Sequence, residues 1–172
     1  FMRHTEADRT LIGWEMATRG EYLVPHLLGD LYITKPPLYY SMLAAVFSLV
    51  GTPYEWAARL PSALAASLAI GSLFYLLRCA QASRRLALTA SLLLFMSGEF
   101  FLYSTLAEID LTLTCFCLFP LIGILVLPYV RYPRLCATAL WIAVGGAALI
   151  KGPPAILFWG SALAVDTLLD GA

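Results

Sequence analysis

Residues 60–77, with the sequence LPSALAASLAIGSLFYLL, contain no charged side chain and indicate the fold class. A helix needs about 20 apolar residues to cross the hydrocarbon core of a bilayer, with a working range of about 17–25. Lipid cannot satisfy exposed backbone N–H and C=O groups, so a run of this kind forms a helix and not an open sheet. The sequence therefore predicts a membrane-spanning helix over residues 60–77.

Four further apolar segments follow, and each is long enough to span or nearly span a bilayer. They cover residues 86–104, 110–128, 135–150 and 153–169. The segment at 135–150 is short and contains Gly145-Gly146, which favours close packing inside a bundle. Residues 60–172 thus predict about five transmembrane helices, and the chain is expected to be an all-α membrane protein with a polytopic helix bundle.

The composition of the whole chain agrees with this class. Of the 172 residues, 60% are apolar and 13% are charged, with 11 basic and 11 acidic side chains. Soluble domains have about 45–50% apolar and about 25% charged residues. The zero net charge and the absence of a single basic patch with interleaved aromatics exclude a nucleic-acid-binding protein. The four cysteines lack metal-type spacing, so neither a zinc site nor a disulfide is expected.

Residues 1–59 have mixed polarity and contain both histidines. We expect them to form an external first loop with two juxtamembrane helices. The first helix is predicted from Glu6 to Arg19, and the second over residues 36–50, because proline suits the first turn of a helix. Residues 20–34 between them are expected to form a loop with short extended pieces.

The basic residues between the apolar segments predict the orientation. The loops at 78–85 and 129–134 hold five of the six basic residues that follow position 59, and such a bias marks the cytoplasmic side. The opposite face carries residues 1–59 and the loops near 108 and 151, and is predicted to be external or periplasmic. We expect a multi-pass protein of the cytoplasmic membrane. Because the first residue is Phe, with no signal peptide before it, and the sequence ends just after an apolar segment, we expect a piece of a longer protein.

Acidic residues on the predicted external face are candidates for acid–base chemistry. Glu6 and Asp8 stand near a helix start, where an exposed carboxylate could act as a base or metal ligand, or simply stabilise the helix dipole. Glu108 and Asp110 lie at the end of a span, where charge is costly and often marks a site. A solvated loop is the alternative, or a helix N-cap for Asp110. No metal site is predicted from ligand spacing, and a divalent metal cofactor is left open.

Three basic residues are candidates for binding phosphate. Lys35 precedes a helix start, whose free backbone N–H groups favour an anion, although a lysine that snorkels at the interface is as common. Arg59 either anchors a span or forks onto a phosphate or carboxylate. Lys151 lies on the face that positive charges avoid, so it is expected to bind phosphate or to pair with an acid. Tyr39 is grouped with them, because tyrosine is favoured at the membrane interface.

Six short motifs occur in order along the chain. They are Glu6 to Met16, GEYLVPHL at 20–27, KPPLYY at 35–40, ARLP at 58–61, Asp110, and Lys151-Gly152. In this order they resemble the N-terminal part of the aminoarabinose transferases. These are relatives of the dolichyl-phosphate-mannose protein mannosyltransferases, which have the GT-C membrane fold.

The resemblance implies an enzyme that moves a sugar from a polyprenyl phosphate to an acceptor outside the cytoplasmic membrane. The acceptor is a lipid A phosphate in one branch and a protein hydroxyl in the other. Lys35 then matches the lysine near the carrier phosphate, and Asp110 matches an acid at the external end of a span. The family's first loop has an Asp-Glu pair, of which this chain keeps Glu6 but has Thr5 at the first position. Glu6, Asp8 or Asp110 is then expected to activate the acceptor.

The expected reaction is an inverting transfer in which the polyprenyl phosphate leaves. Glu6 or Asp110 would orient or deprotonate the acceptor, while Lys35 with Arg59 or Lys151 would stabilise the leaving phosphate. The alternative is a transporter or flippase-like module for a lipid-linked or anionic substrate, with acids and bases midway in its spans. Besides the sugar donor, the expected partners are membrane lipids and a lipid or protein acceptor.

Overall fold

The computed structural model describes residues 4–126 and 132–160, which are mostly helical. The helices are α1 His4–Arg19, α2 Leu38–Val50, α3 Glu55–Cys79, α4 Arg84–Met96, α5 Gly98–Ser104, α6 Ile109–Val126, α7 Pro133–Lys151 and α8 at 153–160. Two short strands, β1 His26–Leu27 and β2 Asp30–Leu31, pair in an antiparallel hairpin. The all-α class is confirmed, and the hairpin lies within the loop that was expected to contain extended pieces.

Among the described residues, α3 and α7 are each long and apolar enough to cross a membrane. Helices α4 and α5 pass the same test only as a pair, and they meet at a bend of 70°. The segment predicted as one span over 86–104 therefore consists of two helices that meet at a bend. Ser97 has an extended backbone that ends α4, and Gly98 begins α5. Serine and glycine together are a common cause of sharp helix kinks.

The predicted segments at 110–128 and 153–169 are described in part. Helix α6 runs from Ile109, one residue before the predicted start, and residues 127–131 lie outside the described part of the chain. The last segment is helical over 153–160, and residues 161–172 are likewise outside it.

Both helices predicted within residues 1–59 are present and pack against each other. Helix α1 begins two residues before Glu6, and α2 begins at Leu38 because Pro37 is its N-cap. A Cβ atom added to Gly13 of α1 would lie 2.6 Å from Cβ of Leu43 on α2, so the absence of a side chain allows close approach. Both helices contribute fully buried side chains to one core, including Ile12, Met16, Leu43 and Phe47.

Helix α3 begins at Glu55, before the predicted domain boundary at 59, so Arg59 is part of this helix. Hydrogen bonds connect the second turn of α3 to the loop before α6, and the end of α7 to the start of α6. Helices α1 and α2 contact α3 at the same end through Glu6 and Tyr39. This end of the bundle therefore collects polar side chains from five helices, and we call it the polar end.

Candidate active site

A buried ion pair joins α1 to α3 at the polar end. The Glu6 side chain is 0% exposed, and its oxygens accept hydrogen bonds from Nε of Arg59 at 2.8 Å and from Nη2 at 3.3 Å. Nη2 of Arg59 also donates to Glu55 at 2.6 Å. Burying a carboxylate is costly unless it is paired and hydrogen-bonded, and the guanidinium meets that need. The expectation that Glu6 is an exposed carboxylate is therefore wrong, and Arg59 forks onto carboxylates.

A second cluster holds the loop between α5 and α6. Oε1 of Glu6 accepts a hydrogen bond from the Ala107 N–H group at 3.0 Å, and Nη1 of Arg9 donates to the Ala107 carbonyl at 2.8 Å. The same Arg9 nitrogen lies 2.6 Å from Oε2 of Glu108, which is itself buried. Glu108 is therefore a paired interior acid, and the alternative of a solvated loop acid is wrong.

Arg9 was not among the functional residues predicted from the sequence. The only local signal is its position three residues after Glu6, which places both side chains on one face of a helix. Arg9 and Glu108 are far apart in the sequence, so this spacing could not reveal their ion pair.

Ser62 and Tyr39 add a neutral layer below these charges. Oγ of Ser62 donates to the Glu108 carbonyl at 2.9 Å and accepts from the Glu108 N–H group at 3.0 Å. Because the one hydroxyl proton of Ser62 is already donated to this carbonyl, the Tyr39 hydroxyl donates to Oγ of Ser62 at 3.1 Å. Burial raises the pKa of Tyr39 to about 12, so the phenol is neutral near pH 7. Tyr39 is fully buried, so its ring packs against other parts of the protein.

Asp110 and Lys151 form the more accessible pair of the polar end. Nζ of Lys151, at the end of α7, donates to Oδ1 of Asp110 in the first turn of α6. The two side chains remain 28% and 43% exposed, in contrast to Glu6 and Glu108. Lys151 thus pairs with an acid, one of the two options that its position left open. The Asp110 carboxylate, like that of Glu55, is therefore exposed enough for a solute to reach.

The loop that carries Lys35 touches the end of α7. Gly152 follows Lys151 with φ +70°, and a Cβ atom added to it would lie 3.7 Å from the Pro36 ring. Lys35 is half-buried, and within the described residues no acidic side chain lies within ion-pair distance of it. The N-cap residue of α2, Pro37, makes no side-chain hydrogen bond. The first N–H groups of α2 therefore receive no hydrogen bond from the side chain of the N-cap residue. They follow closely after Lys35, whose charge no acid neutralises among the described residues.

The groove next to Lys35 is open and largely apolar. Its volume is about 410 Å³, and its lining includes Val24, Tyr32 and Thr34. Such a groove can accommodate an apolar or amphipathic molecule whose anionic group is near the lysine. Asp8, by contrast, is exposed on α1, and the described residues include no ion pair between it and the polar end. Within the same residues, no group of three or more His, Cys, Asp or Glu side chains could hold a metal ion.

Residues 34–168 match the family model described as dolichyl-phosphate-mannose-protein mannosyltransferase. The match covers well over half of the sequence. The chain belongs to this family. The resemblance to the GT-C glycosyltransferases, proposed from six short motifs, is thereby confirmed. A search of curated proteins returned no match.

Two solved structures have the same fold. The chain superposes on the crystal structure of ArnT from Cupriavidus metallidurans in the apo state with a TM-score of 0.86 and 27% identity over 97% of this chain. For the same protein bound to undecaprenyl phosphate, the TM-score is 0.85 with 28% identity over 95% of this chain. The chain spans 32% and 31% of those two structures, about a third of their length.

Proposed function

We propose that the protein transfers a sugar from a polyprenyl-phosphate carrier to a lipid or protein acceptor at the external face of the cytoplasmic membrane. Membership of the mannosyltransferase family supports this activity. One structurally similar protein was solved bound to undecaprenyl phosphate, which supports a carrier of the same chemical class here. The lipid acceptor would be a phosphate similar to that of lipid A.

The observation that carries the proposal is the contact between the Lys35 loop and the end of α7. Lys35, which has no acidic partner among the described residues, precedes Pro36, and the Pro36 ring lies beside Gly152, the residue after Lys151. Pro37, the N-cap of α2, follows in the same loop, and Lys151 pairs with Asp110. Positive groups that are already in place stabilise negative charge as it develops on a leaving group. We assign the carrier phosphate to Lys35 and the start of α2, with Lys151 as the second cation.

In the proposed step, an acceptor oxygen attacks the anomeric carbon with inversion. The bond from this carbon to the phosphate oxygen breaks, and the polyprenyl phosphate leaves with the electron pair. Asp110 would orient the acceptor and, for a hydroxyl, take its proton. We prefer Asp110 to Glu6, because the Glu6 oxygens are buried and already bonded to Arg59 and Ala107. A phosphate acceptor is already ionised near neutral pH and needs less base catalysis.

The position of the charges favours transfer over transport. A transporter for an anionic substrate would hold acids and bases midway along its spans. The ion pairs described above lie instead at helix ends, at the start of α3, the start of α6 and the end of α7. Tyr54 and Trp56 are exposed and stacked at the start of α3, as is typical of aromatic residues at a membrane–water interface. A surface reaction on a lipid-linked substrate suits this arrangement.

The proposal can be tested with the full-length protein in lipid vesicles and a labelled polyprenyl-phosphate sugar. We expect Lys35→Ala to raise the KM for the carrier, and Asp110→Asn to lower kcat by about 100-fold or more, within the range for lost acid–base catalysis. Arg84→Ala and Asp30→Asn are matched controls, because both residues are exposed and separate from the described ion pairs. Normal transfer by both Lys35→Ala and Asp110→Asn would show that the site is elsewhere.

A further inference from the structure

We propose that Arg9 is a positioning residue, which holds the loop before α6 so that the Asp110 carboxylate faces the acceptor. The inference rests on the proposed function and adds a residue of α1 that the sequence motifs did not identify. Arg9 contacts Ala107 in this loop, although the two residues are 98 positions apart in the sequence. It lies on the same face of α1 as Glu6.

The loop is held through both backbone groups of two successive residues. The N–H and C=O groups of Ala107 bind Glu6 and Arg9 of α1, at 3.0 Å and 2.8 Å. The N–H and C=O groups of Glu108 both bind Oγ of Ser62 on α3. Two peptide units are therefore held by two different helices. The next residue begins α6, and Asp110 follows in its first turn.

Burial makes these contacts decisive for the position of the loop. Ala107 is fully buried, so its backbone groups must be paired inside the protein. Arg9 and Glu108 are 13% and 5% exposed, and charge-assisted hydrogen bonds are stronger where water is excluded. Without the guanidinium, the Ala107 carbonyl and the Glu108 carboxylate both lose this donor. The loop would then shift to reach water, and the start of α6 would move with it.

Direct binding of the carrier phosphate is the rival role for Arg9. The geometry argues against it, because Nη1 already donates to a carbonyl and contacts a carboxylate, and the side chain is mostly buried. Both contacts are made by Nη1, and a lysine side chain ends one atom earlier, so its ammonium would not reach the same position. A residue that positions the reacting group should therefore affect kcat, while a residue that binds phosphate should affect KM.

The test uses the full-length protein in lipid vesicles and measures KM and kcat. The value of kcat is calculated per molecule of protein that was monodisperse before reconstitution. We expect Arg9→Met to lower kcat by about 10–100-fold and to change the KM for the carrier by less than about threefold, because misplacement by about 1 Å can cost 10²-fold. Arg9→Lys should recover only part of the loss. Arg19→Met is the control, because it removes another arginine of α1 whose contact with Glu15 is a 3.6 Å pair at the surface.

A double variant separates positioning from a general loss of folding. Residual single-turnover transfer of Asp110→Asn should fall by less than about threefold when Arg9→Met is added, because no carboxylate is left to position. If Arg9→Met does not fold, Glu108→Gln and Arg9→Lys replace it in the test. Each should lower kcat with little change in KM and should add little to the effect of Asp110→Asn. Normal kcat in the Arg9 variant, a raised KM alone, or full additivity with Asp110→Asn would each overturn the inference. Normal transfer by Asp110→Asn would instead refute the role that the proposed function assigns to Asp110.

Discussion

Replacing Glu6 by alanine tests whether the buried carboxylate organises the polar end. The change removes two hydrogen bonds to Arg59 and one to the Ala107 N–H group. A buried donor left without a partner costs about 1–3 kcal/mol, and a bond to a charged group contributes about 1.5–3 kcal/mol. Arg59 is a quarter exposed and keeps Glu55, so water offsets part of its loss. We expect a destabilisation of about 3 kcal/mol.

The assay is reversible unfolding of the purified full-length protein in mixed micelles with increasing SDS, followed by intrinsic tryptophan fluorescence. Asp8→Ala is the matched control on the same helix, because Asp8 is exposed, and surface changes stay within about 0.5 kcal/mol. Glu6→Gln should cost less than Glu6→Ala, because the amide oxygen can still accept one of the bonds. A loss below about 1 kcal/mol for Glu6→Ala, or an equal loss for Asp8→Ala, would refute the reasoning.

Three further predictions concern packing, backbone and ionisation. Gly13→Ala should lower the free energy of unfolding by about 1–3 kcal/mol, because its Cβ would lie 2.6 Å from that of Leu43. Leu43→Gly removes this Cβ, so Gly13→Ala should cost less in the Leu43→Gly background, and an unchanged cost would contradict the reasoning. Gly152→Ala should reduce transfer and cost about 1–3 kcal/mol, because φ is +70° directly after Lys151. The Tyr39 phenol, with its raised pKa of about 12, should stay neutral as the pH passes 10.0. Its contribution to stability is complete below pH 10.0 and is lost as the pH rises to about 12, and an early phenolate absorbance that Tyr39→Phe removes would contradict this.

The pairing at the polar end divides its charges into two groups. Glu6, Arg9 and Glu108 form the first group and are largely buried. Glu6 pairs with Arg59 of α3, and Arg9 pairs with Glu108 in the loop before α6, so these contacts hold α1, α3 and the start of α6 together. Asp110 and Lys151 keep a larger exposed fraction, and Lys35 has no acidic partner within the described residues. The first group is suited to structure and the second to contact with a substrate.

The break between α4 and α5 shows where reading the sequence for apolar runs fails. The segment 86–104 is apolar enough to be predicted as one span, but Ser97 and Gly98 interrupt it. The two residues are a weak signal within a long apolar segment, because small residues are also common in straight transmembrane helices. Only the neighbouring helices decide whether such a pair bends the chain.

The sequence by itself determined the helical membrane class, the two helices within residues 1–59 and the family, because apolar length, helix-start prolines and ordered motifs are local properties. It also identified Lys35, Asp110 and Lys151 as candidates. Only the tertiary structure decided the partners: Glu6 binds Arg59 across 53 residues, and Arg9 reaches Ala107 across 98. Many acids and bases could pair across such distances in sequence, and burial selects among them, because a charge removed from water requires a partner at hydrogen-bond distance.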